Sequence, residues 1–146
     1  MASKGTFPDG DPSALVELVG KRILKGSVLT AMLGRIVGVH VWPAGVKFKH
    51  RGQVPHVRIG RPTLMHPNVS AALAVPGVDA PTVQYWLNAA GVTGAALTES
   101  WGNISAQFPD GVSAEFVVHW TISALKAVGA SPAGGWAYEG EKPDSN

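Results

Sequence analysis

The sequence predicts an α+β fold: one domain with a mainly antiparallel, twisted sheet packed by about two helices, and flexible termini. Three observations carry this. Apolar residues alternate with polar ones over several short segments, the period of a half-buried strand. Two longer segments repeat at helical spacing and carry helix start and stop residues. A length of 146 residues, punctuated by 18 glycines and 11 prolines, fits one loop-rich domain. The expected organisation is a flexible arm over 1–10, the domain over 11–128 and a flexible Gly/Pro-rich tail over 129–146.

The first element after the arm is a helix in DPSALVELVGKRILKG. Asp11 can cap it, Pro12 suits its first position and Gly26 its stop. Leu15, Val16, Leu18, Val19 and Ile23 form its apolar stripe. A short helical turn over Ser27–Leu33 follows. RIVGVHVW (35–42) then reads as a strand with Val37, Val39 and Val41 on one face. KFKHRGQVPHVRIGR (47–61) reads as two short strands and a turn. It holds five Lys or Arg, two His and no acid, and the period of two puts its charges on one face.

Residues 62–80 read as loop, with a short helix through VSAALA. DAPTVQYWLNAAG is the second helix, capped by Asp79 or Thr82, with Val83, Trp86 and Leu87 inward and Gly91 as its stop. GVTGAALTESWG has no clear period. NISAQF-PDG-VSAEFVVHWTISAL predicts a hairpin around Pro109-Asp110-Gly111. FPDG occurs at 7–10 and 108–111, read as a coincidence of turn composition because the flanking periods differ.

Composition bounds the chemistry. The chain has no cysteine, which excludes disulfides, thiolate catalysis and Cys-based zinc sites. The start MASKGTFPDGDP lacks the apolar core of a secretory signal, and no run of about 18 apolar residues predicts a membrane span. The expected location is cytoplasmic or virion. Charged residues are 15% of the chain, against roughly 25% in ordinary domains. Interface cores are depleted in Lys, Glu and Asp, so this deficit points to surface covered by other subunits. Leu18 to Val78 holds nine basic residues and no acid, whereas Asp79 to Asn146 holds seven acids and two lysines. Such asymmetry fits head-to-tail pairing between copies or a polyanion partner.

No motif carries catalysis. TESWG (98–102) has only the second half of the nucleophile elbow; Thr98 replaces the glycine that permits its strained turn. His40, His50, His56, His66 and His119 are dispersed, with no metal-ligand spacing. Phosphate-cradling glycine loops are absent. The chain is therefore expected to be no enzyme, with no cofactor; His40, His119 and Ser100 are the nearest thing to a hydrolase or small-ligand site.

The basic row Lys47, Lys49, Arg51, Arg58 and Arg61 could meet phosphates, but it lacks the exposed aromatics on which single strands stack. The row also reads as a plain solvated strand face; the reading placed first is an interface with an acidic surface on another copy, with Glu99, Asp110 and Glu115 as counterparts. Trp136 and Tyr138 are expected to anchor the tail on a neighbouring subunit.

FPDGDPSALVELVGKRIL, then the strand RIVGVHVW, then VPHVRIGR resemble the small tail-terminator-like neck proteins of tailed bacteriophages. The resemblance covers residues 7–61. It implies a ring-forming structural subunit, often sixfold, with no catalysis. The function expected is a non-enzymatic assembly subunit forming a symmetric oligomer, in a virion for instance. The alternatives are a nucleic-acid backbone binder using the 47–61 hairpin, and a small hydrolase or ligand-binding domain.

Overall fold

Alternation decides the sheet. In β3 (His56–Gly60), Val57 and Ile59 are fully buried while His56 and Arg58 are half-exposed, as a period of two requires. The computed structural model describes residues 3–24, 36–46, 54–62, 68–100 and 102–142. The other elements are β1 (Lys4–Phe7), α1 (Ser13–Leu18, continuing as a π-helical stretch through Val19–Leu24), β2 (Gly38–Pro43), β4 (Ser70–Ala74), α2 (Ala80–Ala89), β5 (Ala96–Ser100), β6 (Asn103–Gln107), α3 (Ala114–Ala127) and β7 (Trp136–Glu141). The strands form one antiparallel sheet in the order β1-β7-β2-β3-β4-β6-β5.

In-register pairs share a face. The row Tyr138–Val41–Val57–Leu73–Ile104 runs across five strands, and all five residues are buried. Leu15, Leu18, Val19 and Ile23 of the first helix join the same core with Val83 and Leu87 of α2 and Val117, Val118 and Trp120 of α3. The helices therefore cover one face of the sheet. The opposite face carries Lys4, Thr6, Glu139, His40, Arg58, Ala72, Ser105 and Thr98, and none of these belongs to that core.

The α+β expectation matches this architecture, with three helices among the described residues where about two were expected. The extra one is α3, expected as the second strand of a hairpin. In that stretch alternation and helical spacing coexist, and the caps decide. Ser113 accepts the Phe116 N–H at 3.1 Å, and Glu115 and Lys126 sit at the ends that the helix dipole favours. Ala130 N–H to Leu125 C=O and Gly129 N–H to Lys126 C=O close the C-terminus as a Schellman motif. Val117 is buried, where strand alternation would have turned it outward.

VSAALA is likewise not a helix. Ala71 and Leu73 alternate inward as β4, between β3 and β6. The ambiguous 91–102 segment supplies β5. In the first helix Pro12, not Asp11, occupies the capping position; the Asp11 carboxylate instead accepts from Ser13 Oγ. The turn expected at Ser27–Leu33 lies outside the described residues.

The largest correction concerns both ends. Lys4–Phe7 of the expected arm is an edge strand, and 136–141 of the expected tail is β7, paired to β1 on one side and β2 on the other. Trp136, Ala137 and Tyr138 are all buried. Gly135 makes this approach feasible: at φ 78° it sits where a Cβ would lie 2.5 Å from the Phe7 carbonyl oxygen. The two FPDG copies also prove equivalent. Each ends a strand, closes a turn (Asp11 N–H to Pro8 C=O, Val112 N–H to Pro109 C=O) and leads into a helix.

Candidate functional site

The uncovered sheet face gathers the charge. Adjacent strands place Lys4, Glu139, His40 and Arg58 in one cross-sheet row. Glu141, one pair further along β7, receives two donors: Arg58 Nε and His40 Nε2 each donate to its Oε2 at 2.8 Å. Two glycines make room. A Cβ on Gly38 would stand 2.8 Å from the Arg58 guanidinium carbon, and one on Gly60 3.1 Å from Nη1. The guanidinium thus lies flat along the sheet. Its hydrogen bond is the main cause holding the Glu141 carboxyl below the usual range; His40 adds to this and partial burial opposes it.

Of the expected contact residues, Lys47, Lys49 and Arg51 lie outside the described residues. Arg58 is on the open face and pairs with Glu141, not with Glu99, Asp110 or Glu115. Arg61 follows β3, its N–H bonded to the Val37 carbonyl. Glu99 on β5 bends back to accept the Ala80 N–H at the start of α2. Asp110 is exposed in its turn, and Glu115 is exposed on the first turn of α3.

Trp136 and Tyr138 are not tail anchors on a free segment; both are buried in this chain's own core. Tyr138 packs on Phe7 with ring centroids 6.0 Å apart. Trp136 donates Nε1–H to Asp9 Oδ1 at 3.0 Å, and Lys126 Nζ meets the other oxygen at 3.0 Å. These donors, Trp136 first, hold the Asp9 carboxyl below its ordinary range. Around this clasp Phe7, Pro12, Val16, Val118, Ile122 and Trp136 line an apolar hollow of about 300 Å³.

His40 and His119 stand on opposite sides of the sheet, one on the open face and one exposed on α3, so they share no site. Among the described residues no group of three His, Asp or Glu could hold a metal ion, and no helix is long and apolar enough to cross a membrane. Sequence reasoning missed Glu141 and Asp9. Glu141 lies 101 residues from His40 and 83 from Arg58, a separation that leaves no local signal.

The chain matches no protein-family model, no curated protein and no solved structure.

Proposed function

We propose that this chain is a non-enzymatic structural subunit that forms a symmetric oligomer and serves within a larger assembly such as the neck or tail of a virion. The observation that carries the reading is a one-sided architecture on a charge-poor chain. Three helices share one sheet face, while no described helix packs on the other. Only 15% of the residues are charged. On the open face Trp42 is half-exposed, and aromatic residues are enriched on surfaces that are covered in a complex.

The nucleic-acid reading has lost ground among the described residues, because Arg58 is neutralised within the chain by Glu141.

The test is the solution mass by light scattering at about 50 mM and about 500 mM salt, between which the Debye length shrinks severalfold, with and without nucleic acid. A discrete oligomer without nucleic acid at either salt supports the assembly reading. A monomer that gains mass only with nucleic acid at low salt favours backbone binding. A monomer under every condition contradicts the proposal.

A further inference from the structure

An open sheet has two edges, and here they differ. At β1 the Gly140 N–H bonds to the Ser3 carbonyl. In an antiparallel ladder bonded pairs alternate, so Ser3, Gly5 and Phe7 face β7, and the backbone groups of Lys4 and Thr6 point outward. At the other edge Phe108 N–H bonds to Val69 C=O, which turns residues 104, 106 and 108 toward β4. Residues 103, 105 and 107 then bond to 100, 98 and 96 of β5, leaving the backbone groups of Leu97 and Glu99 outward.

Natural sheets blunt such edges with short strands and charge, above all lysine. The β1 edge does so: it is four residues long and exposes Lys4. The β5 edge does not. Ala96 and Thr98 are exposed and uncharged, and the one charged group, Glu99, is turned onto the Ala80 N–H. Beside it, α2 (APTVQYWLNA) has no charged residue, and its outer side carries Tyr85, 71% exposed. Exposed tyrosine is an interface signature. The outward backbone groups of Leu97 and Glu99 are self-complementary in an antiparallel ladder, and the single acid of this edge is engaged within its own chain by the Ala80 N–H.

We infer that β5 and the outer side of α2 form a two-fold interface with a second copy of this chain, joining the two sheets through antiparallel β5 strands. This rests on the assembly reading and names its surface; the contact is isologous, unlike the head-to-tail pairing that charge asymmetry suggested. Leu97 of each copy exchanges backbone hydrogen bonds with the second copy's Glu99. The axis then passes at Thr98, which faces its own counterpart in a non-hydrogen-bonded pair. Cα atoms in such a pair are about 4.5 Å apart, inside the disulfide span of about 4.4–6.8 Å.

Because the chain has no cysteine, Thr98→Cys supplies a single exposed thiol. Under mild oxidation it should give a disulfide-linked dimer, whereas Thr6→Cys, also exposed but on the β1 edge, should give little. Tyr85→Asp should lower the oligomer mass with the thermal midpoint of the dissociated chain unchanged. If the wild-type chain is oligomeric but Thr98→Cys fails to link, or Thr6→Cys links equally well, this surface is wrong while the assembly reading stands. A monomeric wild-type chain with no linking overturns both.

Discussion

At the β1 edge the chain closes on itself. Phe7 packs under Tyr138, Gly135 lets the two strands meet, and Asp9 clasps the indole of Trp136 and the ammonium of Lys126. At the β5 edge the exposed Ala96 and Thr98 are small and neutral, Glu99 turns back to the Ala80 N–H, and the adjoining helix shows a tyrosine to solvent. Both edges have the same outward backbone donors and acceptors. The difference lies in what surrounds them, and it separates an edge that serves the fold from one that is available to a partner.

Substitutions should therefore affect the two edges differently. Trp136→Ala should be the most damaging, because its side chain is fully buried. Truncating a buried tryptophan costs about 3–5 kcal/mol, readable as a lowered urea midpoint; a cost within experimental error would mean that β7 is not part of the core. Gly135→Ala should cost about 1–3 kcal/mol, since a positive φ is strained for any other residue and the Phe7 carbonyl oxygen is in the way.

Asp9→Ala strands the buried indole N–H and should cost about 1–3 kcal/mol. Asp110→Ala, in the sequence-identical turn, should stay within about 0.5 kcal/mol, because no donor among the described residues meets that carboxylate. Equal effects would show that the clasp contributes nothing. At the β5 edge, Thr98→Ala should leave monomer stability within about 0.5 kcal/mol and act on association alone.

The smallest effect is on pH dependence. Asp9 and Glu141 both titrate below their ordinary range in the fold. A carboxyl whose folded pKa is depressed contributes fully above its unfolded pKa and loses that contribution as pH falls through the folded value. Stability should thus decline on acidification below the ordinary carboxylate range, and Glu141→Gln should flatten that decline. An unchanged acid limb in Glu141→Gln would remove the Arg58–Glu141 pair from the account.

What could be read from the sequence follows the range of the interactions. β3 and α2 were legible because their signals are local: alternation in HVRIG, and Asp79 with Gly91 around one amphipathic turn sequence. α3 was misread because VSAEFVVHW satisfies a period of two and a helical period at once; Ser113 and Gly129 were the available arbiters. β7 gave little local signal. GGWAYEG is rich in glycine, and it becomes an interior strand only because β1 and β2 flank it from more than 90 residues away. The Arg58–Glu141–His40 cluster shares that cause. Charge counting found Arg58, but the acid that meets it, Glu141, lies on the strand β7, where the sequence predicts a tail.

The most direct test of unequal edges is amide hydrogen exchange, compared between concentrated and dilute protein. The account expects the Leu97 and Glu99 amides to be protected when concentrated and to lose that protection on dilution, while the Lys4 and Thr6 amides exchange alike at both. Free exchange at Leu97 and Glu99 at every concentration, or concentration-dependent protection at Lys4 and Thr6, would contradict it.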